Sequence, residues 1–130
     1  MCADTRPGSS ASACSKLVTA VGSSRPEANA RTAQVAHELT LMTRWTATTA
    51  FATGPNPTLA DAAMALRERG ATRLVVAPWF LAHGRITDRV AALASAHHIP
   101  MSAPLGAHRQ VAETVLDRFD AAVATRAAAA

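Results

Sequence analysis

The sequence predicts an α/β protein: a three-layer α/β/α domain around a four-stranded parallel sheet of strand order 2-1-3-4. Three observations carry that expectation. Short apolar runs alternate with longer segments of helical periodicity, giving the order β-α-β-α-β-α-β-α, which calls for parallel strands and right-handed crossovers. The run Leu74 to Ala77 is too short for a helix and shows no polar alternation, as a strand buried on both faces requires. Hydrophobic residues make up 49% of the 130, and alanine supplies much of that share, so helices can pack closely on a sheet.

Taken in order, Met1 to Ser15 is rich in Ser, Ala and Gly and has no periodicity, which predicts a disordered leader over 1–15. A single α/β domain is expected over 16–126, with 127–130 as a tail. The first strand is Leu17 to Val21. Gly22 to Arg25 makes a turn, and Pro26 opens a helix with Glu27 in its positive first turn. Ala30, Ala33, Val35, Ala36, Leu39 and Met42 form one stripe and carry that helix to about Thr43. Trp45 to Ala52 reads as a second strand, its threonines placing it near a sheet edge. Thr58 caps a helix over Leu59–Arg69, and Gly70 closes it in the left-handed position.

Arg73 to Ala77 is the third strand, and Pro78, which has no N–H to give the ladder, ends it. A loop from Trp79 to Ile86 follows, then a helix over Asp88–His97 capped by Thr87. Ile99 to Ala103 is a short fourth strand interrupted by Pro100, and the last helix runs from His108 to about Thr125.

Composition excludes several functions. The net charge of +4 comes from scattered arginines, with Lys16 the single lysine, so there is no basic tract of the kind that tracks a nucleic-acid backbone. Cys2 and Cys14 form no CxxC motif, which argues against a zinc knuckle or a structural disulfide. No stretch has the length of a signal peptide or membrane span, and the expectation is a soluble cytoplasmic protein. There is no GxSxG, Walker or GxGxxG motif. Asp61, Glu68, Glu113, Asp117 and Asp120 all fall in helices, mostly at helical spacing from arginines, so no carboxylate pair is offered for acid/base work.

Where the strand order reverses, between strands one and three, an open α/β sheet presents its default ligand crevice. Two loops flank it here. Gly22, Ser23, Ser24 and Arg25 offer amides, hydroxyls and a guanidinium that suit a phosphate or carboxylate. The same four residues also serve as an ordinary turn and helix cap. Trp79, Phe80, His83, Gly84 and Arg85 form the second loop. His83 is a candidate metal ligand or proton shuttle, against the alternative of a plain solvated side chain. His97 and His98 are adjacent, so they diverge around a helix and cannot chelate one metal from one face. His37 reads as a partly buried structural residue, and His108 as a helix-terminus residue.

Val18-Thr-Ala-Val-Gly-Ser-Ser-Arg-Pro-Glu-Ala-Asn29 resembles the opening of the sirohydrochlorin chelatase family, the small cobalto- and ferrochelatase-like domains. Pro57-Thr-Leu-Ala-Asp61, Gly70-Ala-Thr-Arg-Leu-Val-Val-Ala-Pro-Trp-Phe-Leu81 and Ala103-Pro-Leu-Gly106 follow the family's later blocks in order and spacing, over roughly Leu17 to Val123. The resemblance implies a chelatase-like fold, insertion of Co²⁺ or Fe²⁺ into sirohydrochlorin toward cobalamin or sirohaem, and pairing as a homodimer or with an active homologue.

It also exposes departures. Val21 and Ile86 stand where the family places metal-binding histidines, and Thr53 or Asn56 where an acidic residue is usual. This pattern is similar to the degenerate second half of two-half members, which implies a non-catalytic partner half that binds a tetrapyrrole among Trp79, Phe80, Arg25 and Arg85. Two alternatives stand beside it. One is an active chelatase that uses His83, with Co²⁺ or Fe²⁺ as its metal. The other is an unrelated anion-binding α/β module.

Overall fold

The computed structural model describes residues 14–129. Its elements are β1 (Cys14–Ala20), α1 (Pro26–Met42), β2 (Thr46–Phe51), α2 (Leu59–Glu68), β3 (Arg73–Pro78), α3 (Arg85–Ala96) and α4 (Arg109–Ala129). The strands form a parallel sheet of order β2-β1-β3, in which Leu17 stands level with Thr48 on one side and Val76 on the other. The threonine-rich strand is thus at an edge and the apolar one at the centre, as the sequence suggests.

The expected fourth strand shrinks to one parallel bridge, Val76 to Met101, on the outer edge of β3. Val76 N–H donates to the Pro100 carbonyl and Ser102 N–H donates to Val76, at 2.8 and 2.9 Å. The chain is in the right place, but Pro100 has no N–H and the ladder cannot lengthen past it. The sheet is therefore three-stranded, not four.

Side chains alternate between the two faces, and residues level across parallel strands share a face. Leu17, Ala50, Leu74 and Val76 point to one side, where Leu59, Ala62, Ala63 and Leu66 of α2 and Val90 and Ala94 of α3 meet them in the buried core. Ile99 completes it. On the other face α1 packs over β2 and β1, above Val18, Ala20, Thr49 and Phe51, all of them buried. That arrangement is what right-handed crossovers dictate for this strand order.

The helix ends follow local chemistry. Thr58 Oγ1 accepts from the Asp61 amide at 3.2 Å, the predicted cap. Gly70 sits at φ +95°, with the Ala71 amide bonded back to the Leu66 carbonyl, a left-handed closure that a side chain would strain. α3 starts earlier than expected. Gly84, not Thr87, is its N-cap, and the Thr87 hydroxyl accepts from the Gly84 amide while donating to the Gly84 carbonyl. Arg85 and Ile86 therefore belong to the first turn of a helix and not to a loop.

Other boundaries also move. β1 begins at Cys14, so Cys14 and Ser15 are strand residues paired with Arg73 and Leu74; the rest of the expected leader lies outside the described residues. Cys14 is disulfide-bonded, against the expectation from motif spacing, since a disulfide needs only two sulfurs brought close and no CxxC. α4 runs through Ala129 because alanine propagates a helix well, so most of the expected tail is helical. His37 is exposed on α1 and not partly buried, being turned away from the stripe that faces the sheet. Among the described residues no helix is long and apolar enough to cross a membrane.

The largest departure is α4. From Ala112 to Ala129 every described residue is exposed, and only Val111 is partly covered. The third layer is therefore incomplete on the α1 side.

Candidate functional site

At the carboxyl end of the sheet the chain brings together the segments that the sequence singles out. The strands end at Ala20, Phe51 and Pro78, and the connections that leave them form one surface. Two hydrogen bonds to the Val21 carbonyl, from the amide and hydroxyl of Thr53 at 3.0 and 2.7 Å, clip the first connection to the second. The Trp79 amide donates to the Thr19 carbonyl at 2.8 Å, which holds the third connection against the first. The Leu105 and Gly106 amides donate to the Phe80 and Leu81 carbonyls at 2.9 and 2.7 Å. That strap joins the Pro-Trp-Phe-Leu segment to the Pro-Leu-Gly segment, which lie more than twenty residues apart in sequence.

Gly22 is required by close packing. It adopts φ +90°, and a Cβ on it would lie 2.6 Å from the Thr53 carbonyl oxygen and 2.8 Å from the Pro55 ring. No side chain fits between these two connections. Beyond it, Asn29 reaches back from the second turn of α1: its Oδ1 accepts from the Ser23 amide and its Nδ2 donates to the Ser23 carbonyl, both at 2.8 Å. The Ser23 hydroxyl in turn accepts from the Arg25 amide at 3.1 Å. Arg25 is the N-cap residue, but no side chain caps the helix. Sequence reasoning missed Asn29 as the residue that shapes this turn. An amide side chain one turn into a helix that follows Gly-Ser-Ser was the available signal.

Ser24 and Arg25 are exposed in the first connection, and His83, Gly84 and Arg85 are exposed where the third connection enters α3. The same connections carry apolar side chains. Trp79 is 43% exposed, Val21 37% and Ile86 36%, with Leu81 and Leu105 also open and Phe80 half-buried against the core. The two positions where the resemblance expects histidines are therefore both at this end, and both are apolar and accessible. Thr53, one of the two positions aligned with the usual acidic residue, spends its hydroxyl on the Val21 carbonyl.

His83 stands apart from other ligating groups. Among the described residues no three His, Cys, Asp or Glu side chains come close enough to hold a metal ion together. Two carboxylates, Glu27 and Asp88, lie in the first turns of the helices that leave this end of the sheet. The ion pair the structure shows is Arg109 to Glu113, 2.8 Å, on the outside of α4. His108 does mark a helix terminus, its Nδ1 accepting from the Gln110 amide.

A cavity of about 440 Å³ lies elsewhere, at the amino end of β3, with Arg67, Arg73 and His98 on its walls. The carboxyl-end surface is an open, apolar platform with arginines at its margin. It is suited to a flat, mainly apolar ligand that carries carboxylates at its edge.

A family model described as CbiX matches residues 15–122. The fold is similar to the 1.60 Å crystal structure of a CbiX protein from Marinobacter aquaeolei VT8, whose name places it in cobalamin (vitamin B12) biosynthesis. The TM-score is 0.71 at 20% sequence identity, covering 87% of this chain and 97% of that one. No curated protein matches this chain in sequence.

Proposed function

The chain belongs to the CbiX family, the sirohydrochlorin chelatase family, and from that premise we propose that it is a tetrapyrrole-binding partner half of cobalamin or sirohaem metabolism that does not itself insert metal. The observation that carries this reading is the character of the carboxyl-end platform. Val21 and Ile86 are open to ligand at the two places where the family resemblance sets histidines, and neither can coordinate a metal or accept a pyrrole proton. His83 lies on an exposed segment, and among the described residues it is in no group of three ligating side chains.

What remains suits binding. Trp79 and Phe80 offer aromatic faces for a macrocycle, Arg25 and Arg85 flank them for carboxylates, and the turn Gly22-Ser23-Ser24 is held open by Asn29. In this reading the domain works in the cytoplasm, where it pairs with a second copy or with an active chelatase homologue.

The test is a titration with sirohydrochlorin, with and without Co²⁺, followed by absorbance. The expected result is a bound-state spectral shift with no acceleration of metal insertion over the protein-free control. Double substitution Val21→His and Ile86→His should then introduce insertion. Acceleration by the unaltered protein, lost in His83→Ala, would instead make it an active chelatase with Co²⁺ or Fe²⁺ as its metal substrate. No shift with the tetrapyrrole would overturn the reading and leave an anion-binding module.

A further inference from the structure

α2 and α3 both end at the amino side of the sheet, and both close with the same backbone motif. In α2 the Gly70 amide donates to the Arg67 carbonyl and the Ala71 amide to the Leu66 carbonyl, at 2.9 and 3.0 Å. In α3 the His98 amide donates to the Ser95 carbonyl and the Ile99 amide to the Ala94 carbonyl, at 3.0 and 2.8 Å. Each closure turns on one residue in the left-handed region. In α2 that residue is glycine, at φ +95°, and in α3 it is His98, at φ +56°. Glycine takes this conformation freely, and a residue with a Cβ does not. Among the described residues His98 alone has a side chain at positive φ.

The strained residue brings an imidazole to the wall of the 440 Å³ cavity. Arg67, from the last turn of α2, and Arg73, the first residue of β3, line the same cavity. No carboxylate lines it, and apart from Thr72 the remaining wall is apolar. Among the described residues Arg67, Arg73 and His98 enter no ion pair and donate no side-chain hydrogen bond. The last carbonyls of both helices already accept from the closing amides. Cationic groups from three separate elements thus converge on one concave space of small-molecule size with nothing to neutralise them.

The donor set selects among anions. Two guanidinium forks and an imidazole offer more N–H groups than one carboxylate can accept, and they suit the terminal oxygens of a phosphate. We propose that this cavity is a binding site for a phosphate dianion, free or as the monoester of a small molecule, held by Arg67, Arg73 and His98. A glycine at position 98 would relieve the backbone and remove one of the three donors. The site lies at the opposite end of β3 from the platform and does not rest on the tetrapyrrole reading, so a failed sirohydrochlorin titration leaves it standing.

The experiment titrates the ¹⁵N-labelled full chain with inorganic phosphate and with glucose 6-phosphate, followed by heteronuclear NMR at constant ionic strength so that general screening does not change. The expected result is a saturable one-to-one shift of the Thr72, Arg73, His98 and Ile99 amides. Tighter binding of glucose 6-phosphate assigns the apolar wall to an organic group, and equal binding assigns the free ion. Arg67→Gln and Arg73→Gln should each weaken binding about 10-fold while the rest of the spectrum stays that of the folded protein. His98→Gly should weaken binding about fivefold and yet raise the melting temperature, because the strain leaves with the imidazole. Shifts confined to Gly22 to Arg25 would place the anion at the platform and overturn the site. Equal shifts with acetate, or unchanged affinity in both arginine variants, would overturn it as well.

Discussion

The two faces of the sheet are built from alternate residues of the same three strands, yet one is sealed and the other half-open. On the sealed face Leu17, Val76, Ala63 and Val90 are wholly excluded from water beneath two helices. On the other, α1 protects β2 and half of β1, while Val75 and Ala77 of β3 remain partly wet. The half-open face is also the more polar one, carrying Lys16, Thr49 and Arg73 beside Val18, Val75 and Ala77. The helices differ too: α2 and α3 are tied short against the sheet between β2, β3 and the Met101 bridge, whereas the described residues of α4 from Ala112 onward are all exposed.

That contrast predicts unequal costs of truncation. Leu17→Ala should destabilise by about 2–5 kcal/mol, since a cavity opens under two helices and the sheet cannot collapse into it. Phe119→Ala should change the stability of the dilute protein by no more than about 0.5 kcal/mol. Urea titrations at low protein concentration compare the two, and a large effect at Phe119 there would show that α4 is already packed.

The next largest effect belongs to the carboxyl end, where the connections from the central and edge strands touch. Gly22→Ala forces a Cβ against the Thr53 carbonyl at positive φ and should cost about 2–4 kcal/mol. Gly54→Ala, at φ +84° but with open space around it, should cost only about 1 kcal/mol. Thermal melts of the pair separate close approach from backbone strain, and equal losses would refute the packing argument.

A smaller and opposite effect is expected beneath α1. Thr49 Oγ1 is buried on the half-covered face without a hydrogen-bond partner. Thr49→Val keeps the shape, removes the stranded hydroxyl and should stabilise by up to about 1 kcal/mol. A loss of stability would mean that the hydroxyl has a partner.

The smallest effect is electrostatic. Lys16 lies over the Trp45 ring, 3.8 Å from its centroid, and partial burial lowers its pKa from the ordinary 10.5. The folded chain therefore holds this proton less firmly than the unfolded one. Stability should rise as pH increases through the window that ends near 10.5, and the burial cost is fully present below it. Lys16→Met should flatten that alkaline slope in denaturation curves taken at several pH values. An unchanged slope would assign it to other groups.

Much of this molecule was legible in residue order. Pro26, Thr58 and Gly70 marked helix ends by local chemistry that needs no distant partner, and Leu74 to Ala77 marked a strand, although it is buried on one face and not on both as its apolar run suggested. The reversal point between β1 and β3 followed from placing the two most apolar strands side by side at the centre of the sheet. Pro100 was seen as an interruption, but whether a weak strand survives it depends on how many ladder bonds remain, and here a single bridge does.

Asn29 shapes the Ser23 turn through contacts six residues apart, and Thr53 reaches Val21 across thirty-two, so neither role could be read from spacing alone. The sequence by itself determined the alternation of strands and helices and the helix ends at Pro26, Thr58 and Gly70, because propensity and capping are local properties. Only the tertiary structure decided that α4 leaves its own sheet bare and that Val21 and Ile86 share one open platform. Burial is a property of neighbours, and neighbours are fixed by the fold.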